Sequence, residues 1–213
     1  MTLTTPTTDR RISKSKTALK DAMIRLLHQK DFKEISVTDL VQQADLNRGT
    51  FYRHYQYKED LLDDILDDVT TDLIHSYREP YLGSETFDVS AMNASAVKLF
   101  DHVYRHAYFY TLILHSNSLS GMYNQICKVL IKLALQDLTD TRRAEQKVNL
   151  ELHASYQAYA IFGMIAEWVN GGFKYSSQYM AEQLVEFIHL NQSGVVIRPR
   201  ISELRLEDYL HFN

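Results

Sequence analysis

The sequence contains few of the residues that interrupt or cross-link a chain. Its 213 residues include seven glycines, three prolines and one cysteine. So few helix-breaking residues favour long helices, and a single cysteine excludes an internal disulfide. We therefore expect Cys127 to be a small buried residue, and we expect a cytoplasmic protein because cytosolic thiols stay reduced.

Segments that mark membrane proteins and common enzymes are also missing. No apolar run approaches the ~18 residues that cross a bilayer, and the first fifteen residues lack the apolar core of a signal peptide. Residues 1–14 are expected to form a disordered basic arm that carries Arg10, Arg11 and Lys14. The chain has no glycine-rich phosphate loop and no nucleophile elbow. These absences predict no enzyme activity, no cofactor and no contact with membranes.

Charge is distributed unevenly along the chain. The formal net charge is −4, but residues 1–60 carry +3 and residues 61–213 carry −7. A basic segment joined to an acidic one suggests a small nucleic-acid-binding module on an acidic body.

Apolar residues recur at helical spacing through most of the chain, which predicts an all-α protein. The predicted helices cover residues 15–30, 36–44, 48–55, 58–79, 94–104, 107–115, 120–138, 147–171 and 179–191. They divide into a three-helix domain (15–60) and a larger helical domain (61–191), joined by the long fourth helix. Residues 192–213 have a mixed pattern that predicts no definite element.

The second and third predicted helices are short and closely linked, which is the arrangement of a helix-turn-helix. In this motif the second helix enters the major groove of DNA and its first residues meet base edges. Phe51 and Tyr55 are four residues apart and are expected to face the core. The predicted DNA-facing residues are Thr38, Asn47, Arg48, Gly49, Thr50, Tyr52, Arg53, His54 and Lys58.

The predicted contacts follow from side-chain chemistry. Arg48 can bind guanine O6 and N7 together, and Thr50 can bond a base or touch a thymine methyl group. Gly49 allows the backbone to approach the DNA, and Asn47 is expected to cap the third helix. The residues suited to phosphates are Thr38, Tyr52, His54 and Lys58. Arg53 is left open between solvent, a phosphate and a base.

The stretch SVTDLVQQADLNRGTFYRHYQYKEDLLDDIL resembles the DNA-binding signature of the TetR/AcrR family of transcriptional regulators. The run from Arg48 to Tyr52 matches that signature, as do His54 and Lys58. Asn47 stands where the family usually has Ser, and Tyr55 stands where it usually has Phe. The Tyr55 hydroxyl therefore needs a partner if the ring is buried.

This resemblance implies a homodimer that binds a palindromic operator, and in most members a repressor that a small molecule releases from DNA. A transcriptional activator or co-activator that acts through a protein partner is the alternative, and a helical adaptor is a third possibility. The stretch AIFGMIAEWVNGGFKYSSQYMAEQLVEFI is similar to the C-terminal module of dihydroxyacetone kinase regulators. The expected dimer interface comprises Ala160, Ile161, Met164, Ile165, Trp168, Leu184, Phe187 and Ile188.

An aromatic-rich region in the larger domain suggests an apolar effector pocket. Its expected lining comprises Tyr104, Tyr108, Leu112, His115, Met122, Ile126, His153 and Tyr156. A plain core, with each tyrosine hydroxyl in solvent, is the alternative. His102 and His106 are four residues apart, but two imidazoles do not make a metal site and no third ligand has the right spacing. No metal site is therefore predicted.

Overall fold

The computed structural model describes residues 6–82, 92–116, 119–137 and 149–192, and within this part of the chain it confirms the all-α fold. The described α-helices are α1 (Pro6–Leu27), α2 (Val37–Gln43), α3 (Arg48–His54), α4 (Lys58–Arg78), α5 (Leu99–Arg105), α6 (Ala107–His115), α7 (Ser120–Asp137), α8 (Leu150–Asn170) and α9 (Ser177–Gln192). Short 3-10 turns cover Phe32–Glu34, Glu79–Tyr81 and Ala94–Ala96. None of the described helices combines the length and apolarity that a bilayer crossing requires. The predicted tail lies outside the described residues from position 193 onward.

Two predicted boundaries are wrong. Helix α1 begins at Pro6, so residues 6–14 are helical where a disordered arm was expected. Proline is favoured in the first turn of a helix, where its missing N–H costs nothing. The predicted helix 94–104 is divided, because a 3-10 turn at Ala94–Ala96 precedes α5.

Two helices end in the same way, with a residue in the left-handed conformation. After α2, Asp45 has φ 53°, and the N–H groups of Asp45 and Leu46 donate to Gln42 and Val41. After α8, Gly172 has φ 67°, and the N–H groups of Gly172 and Phe173 bond the last turn of that helix. These paired bonds satisfy carbonyls that a helix end leaves open. The first of them fixes the turn of the helix-turn-helix.

Helix α4 joins the two parts of the molecule. Its apolar face is buried along its whole length, from Leu61 to Leu73. It packs against α1 on the N-terminal side and against α5 and α7 on the other. The buried side chains of both parts form one continuous hydrophobic cluster. A displacement of α4 therefore affects both parts.

Asp64 of α4 is the partner that the Tyr55 hydroxyl needs. Tyr55 is buried, and its hydroxyl donates to Asp64 Oδ2 over 2.6 Å. The ammonium groups of Lys16 and Lys20 in α1 lie 3.0 and 3.1 Å from the same oxygen. Partial burial alone would raise the pKa of Asp64, but the bonds from Tyr55, Lys16 and Lys20 outweigh it and lower the pKa to about 2. Asp64 thus holds α1, α3 and α4 together.

Replacing Tyr55 by Phe should lower the free energy of unfolding by ~1–2 kcal/mol at pH 7, since a bond to a partly exposed carboxylate is lost. The pKa of Asp64 in the folded protein lies below its ordinary value of 3.8. The bonds to its carboxylate therefore stabilise the fold at pH values above 3.8. Their contribution disappears as the pH falls from about 4 to about 2. Urea unfolding of both proteins across this pH range measures the difference. The matched control is Tyr52→Phe on the exposed side of α3, and equal losses in the two variants would contradict the assignment.

Candidate nucleic-acid interface

Helix α2 begins with a reciprocal cap between Ser36 and Asp39. The Asp39 N–H donates to Ser36 Oγ over 3.2 Å, and the Ser36 N–H donates to Asp39 Oδ2 over 2.8 Å. Lys30 also bonds Asp39 Oδ2 over 2.8 Å. The bond from Lys30, followed by those from Ser36, holds the pKa of Asp39 well below its usual range. The exposed Thr38 therefore sits in a well-fixed first turn.

Helix α3 begins at the predicted cap. Asn47 Oδ1 accepts the Thr50 N–H over 2.8 Å and the Thr50 hydroxyl over 3.1 Å. A Cβ atom at Gly49 would stand 3.3 Å from this same oxygen. Glycine at this position therefore avoids a close contact with the capping oxygen of Asn47. It also leaves the backbone uncovered at the surface.

The two faces of α3 differ as the spacing predicts. Phe51 is fully buried and Tyr55 nearly so, and their rings are 5.7 Å apart. On the other side, Arg48, Gly49 and Arg53 are exposed and Tyr52 is 54% exposed. This group, together with the exposed Asn47 and half-buried Thr50, is the outward face of α3. It presents hydrogen-bond donors and a bare backbone, which suits recognition of a groove.

His54 has a role inside the domain that the sequence did not reveal. Its Nε2 lies 2.8 Å from Ser15 Oγ in α1. Burial, then the nearby charges of Lys16 and Arg53, lower the pKa of His54. The neutral ring therefore ties the end of α3 to α1, and a phosphate would have to compete with Ser15 for the Nε2 position.

Lys58 is placed differently from the prediction. Its ammonium donates to the carbonyls of Phe32, Lys33 and Ile35 over 2.7, 3.3 and 2.8 Å. It also lies 4.5 Å from the centre of the Phe32 ring. A lysine has three N–H donors, so these carbonyls satisfy all of them. Lys58 therefore holds the loop before α2 in place. In this geometry its ammonium has no N–H left for a phosphate, so the predicted phosphate contact is wrong.

The residues predicted to line one effector pocket differ in their exposure. Leu112, Met122 and Ile126 belong to the packed core, and His153 is half-buried. The side chains of Tyr104, Tyr108, His115 and Tyr156 are exposed. Four of the eight predicted lining residues are therefore exposed and three belong to the core, so burial does not support one shared apolar lining.

An open cleft instead lies between α4 and α5. It has a volume of about 430 Å³ and is lined by Asp72, His75, Ser76, Glu79, Lys98, Asp101 and Arg105. We call it the α4–α5 cleft. Its lining is polar and carries charges of both signs, so it suits a small polar ligand better than an apolar one.

Asp72 at the edge of this cleft collects three donors on one oxygen. His102 Nδ1, His106 Nε2 and the Arg105 guanidinium lie 2.7, 3.0 and 3.3 Å from Asp72 Oδ2. Burial, opposed by Asp72, lowers the pKa of His102 to about 4, so at pH 7 the ring is neutral. Its Nε2 is 2.9 Å from the Tyr110 hydroxyl. Asp72 precedes His102 by 30 residues, so spacing along one helix could not reveal the group.

The predicted dimer residues separate into two sets. Ile165 and Trp168 are buried in the protomer, Trp168 being only 2% exposed and bonded through its indole N–H to the Tyr175 carbonyl over 3.0 Å. Their assignment to an interface is therefore wrong. The others keep exposed surface: Ala160, Ile161, Met164, Leu184, Phe187 and Ile188. We call these six the α8–α9 face.

Comparison with known proteins agrees with this architecture. Residues 19–65 match the model of bacterial regulatory proteins of the tetR family, and residues 91–190 match a transcriptional regulator C-terminal region. The HTH-type transcriptional regulator YxbF of Bacillus subtilis (strain 168) is 24% identical over 190 residues, which are 89% of this chain and 48% of that protein. The chain thus spans about half the length of this curated relative.

Solved structures share the fold. A TetR-family transcriptional regulator from Syntrophomonas wolfei superposes with a TM-score of 0.65 at 18% identity, over 89% of this chain and 98% of the other. The dihydroxyacetone kinase operon activator DhaS has a TM-score of 0.58 at 19% identity, over 83% and 95%. The two matched models together cover more than half of the sequence. The chain therefore belongs to the TetR family, whose members are DNA-binding transcriptional regulators and not enzymes.

Proposed function

We propose that this chain is a repressor that binds a palindromic operator as a homodimer and is released by a small polar effector. The outward face of α3 is the observation that supports DNA recognition most strongly. Its donors are exposed while Phe51 and Tyr55 are buried behind them. The helix is therefore firmly seated, and the side chains that would read DNA have no competing role in the core.

Base recognition is assigned to the first turn of α3. Arg48 is exposed next to the cap, where its guanidinium can reach guanine O6 and N7. Thr50 is held by Asn47, so its methyl group is the part that remains available to a base. Gly49 lets the backbone approach the groove edge.

Phosphate contacts are assigned to exposed groups at the margins of this face. Thr38 begins α2, and Tyr52 and Arg53 lie on the side of α3 away from the core. Lys58 is left out because its ammonium is already bonded to three carbonyls. The phosphate-binding set is therefore smaller than the family signature alone implies.

Dimerisation is assigned to the α8–α9 face. A two-turn recognition helix touches few base pairs, so a second copy on the next half-site is needed for affinity. The face combines exposed Ala160 and Phe187 with half-buried Ile161, Met164, Leu184 and Ile188. Exposed apolar residues of this kind on two helices are typical of subunit interfaces.

The effector site is assigned to the α4–α5 cleft. Asp72, His75, Ser76 and Glu79 line it from α4 and the turn that follows. A ligand there would contact the helix that also packs against the DNA-binding part. The mixed charges favour a small polar molecule over a large apolar one.

Activation is the second candidate function. The likeness to DhaS, whose name describes an operon activator, favours it. Both functions need the same DNA contacts and differ in the change in transcription that follows. Transcript levels of the neighbouring genes after deletion of the regulator decide between them: repression predicts a rise, and activation predicts a fall.

Arg48→Ala should weaken binding to the preferred operator by ~1–3 kcal/mol and relax base preference at one position of each half-site. Fluorescence anisotropy with DNA from around the protein's own gene, scanned base by base, measures this. The matched control is Arg25→Ala, an exposed arginine on α1, which should leave the base preference unchanged. Equal weakening on all DNA would make Arg48 a phosphate contact, and no specific binding by the folded wild type would sink the proposed function.

Lys58→Ala should destabilise the fold by ~2 kcal/mol, since charge-assisted bonds to three carbonyls are lost. The slope of log K for DNA against log salt concentration should not change. Arg53→Ala should do the opposite, lowering the slope by about 0.9 with little change in stability. Urea unfolding and anisotropy at several salt concentrations test both. A reduced slope with unchanged stability in Lys58→Ala would restore it as a phosphate contact.

Phe187→Glu should convert the dimer to a monomer, because it places a charge on the α8–α9 face. Light scattering after size-exclusion chromatography measures the mass. Tyr175→Glu changes an exposed aromatic outside the six residues of the face and should leave the mass unchanged. A dimer that survives Phe187→Glu would place the interface elsewhere.

A further inference from the structure

Two imidazoles and one carboxylate converge beside the α4–α5 cleft. Asp72 Oδ2 lies 2.7 Å from His102 Nδ1 and 3.0 Å from His106 Nε2, and these three atoms all lie within 4.8 Å of one another. Two histidines and one carboxylate are a donor set that Zn²⁺ and related cations use when one position stays open. We propose that Asp72, His102 and His106 form a site for a divalent transition metal whose open position faces the cleft.

Tyr110 supplies the outer contact that such a site needs. A histidine that binds a metal through one ring nitrogen usually gives its other N–H to a fixed partner. The buried Tyr110 hydroxyl lies 2.9 Å from His102 Nε2. With a metal on Nδ1, His102 carries its proton on Nε2, and the hydroxyl can accept it because a phenol both donates and accepts. The ring orientation is therefore set before the metal arrives.

Among the described residues, the three ligands differ in exposure. His102 is fully buried, whereas the side chains of Asp72 and His106 are 33% and 29% exposed. Asp72 also lines the cleft. A cation can therefore reach the three ligands without opening the core, and water or a small polar molecule can complete its coordination.

The Arg105 guanidinium supplies the positive charge beside Asp72 that a bound metal would supply. The guanidinium lies 3.3 Å from Asp72 Oδ2 and donates to Ser76 Oγ over 3.3 Å. The side chain is 58% exposed, so it can move into solvent. Ligation then exchanges one positive group beside Asp72 for another, and the carboxylate is never left without a counter-charge.

The position on α4 suggests what the metal controls. Asp64, which binds Tyr55 and the lysines of α1, precedes Asp72 by eight residues, or about 12 Å along the helix. A metal with bonds of about 2.0–2.1 Å holds tetrahedral ligand atoms about 3.3 Å apart, so ligation would move Asp72 slightly away from His102 and alter the support of α3 at Asp64. The metal, with water or a small polar molecule completing its coordination, is thus our candidate effector; this regulatory role rests on the proposed function, whereas the site itself does not.

Cobalt binding to the chelator-treated full chain tests the site without DNA. Co²⁺ should give visible absorption bands of a site with nitrogen ligands, and Zn²⁺ should displace it and raise Tm by about 5–10 °C at a hundredfold excess over Kd. His106→Ala and Asp72→Asn should lose both effects. The matched control, His115→Ala, removes an exposed histidine of α6 and should keep both. Wild-type bands that are absent, or that depend on His115 and not on His106, would overturn the site.

Arg105→Ala separates a metal site from a purely structural network. Loss of the competing guanidinium should tighten Zn²⁺ binding about tenfold, whereas a network without metal affinity would show only a lower Tm. Anisotropy with operator DNA then tests the regulatory role. Zn²⁺ should change the DNA affinity of the wild type several-fold and leave His106→Ala unaffected. An unchanged affinity with Co²⁺ bands present would overturn the role of effector, and absence of specific DNA binding without metal would instead count against the proposed function.

Discussion

The carboxylate of Asp64 is the contact on which the DNA-binding part depends. Helix α3 has only two turns, and an isolated helix of that length is not stable in water. Phe51 and Tyr55 bury one side of it, but burial alone does not fix its angle. The Tyr55 hydroxyl and the two lysines of α1 meet on one oxygen of Asp64. This shared contact gives α1, α3 and α4 one relative arrangement.

Helix α4 carries that arrangement into the rest of the molecule. One end bears Asp64, and two turns later Asp72 bonds the histidines of α5 and its C-terminal cap. Between them the buried face from Leu61 to Leu73 belongs to the same core as both parts. Packed cores shift between discrete arrangements and do not deform continuously. A small ligand that binds between α4 and α5 can therefore alter the position of α3 through a shift of α4.

Local signals in the sequence predict local structure well. The Ser36–Asp39 cap, the Asn47 cap and the split of α3 into a core side and an exposed side all follow from residue types and spacing. The family resemblance rests on the same stretch and is confirmed. Each of these features is decided within four residues of chain, where propensity and hydrogen bonding act directly.

Features that need distant partners were not predictable in this way. Lys58 matches the family signature, yet its bonds go to carbonyls more than twenty residues earlier. Trp168 and Ile165 have the spacing of an interface, but Ile165 is buried in the protomer, and Phe100 of α5 and the turn after α8 contact Trp168. Asp72 is one of several acids on α4, and nothing near it in sequence shows that two histidines lie opposite. An apolar or acidic pattern shows which residues share a face of a helix. It does not show which other part of the chain packs on that face.

The outward face of α3 has a consequence for how this protein can change over time. Arg48, Tyr52 and Arg53 are exposed residues of this face. Among the described residues, none of them shares a hydrogen bond or ion pair with Asp64 or with its partners Tyr55, Lys16 and Lys20. Substitutions there carry little folding cost, whereas Phe51 and Tyr55 are constrained by the core. Gene duplicates could therefore acquire new target sequences by surface changes on one short helix, while the same scaffold and the same ligand cleft are inherited unchanged.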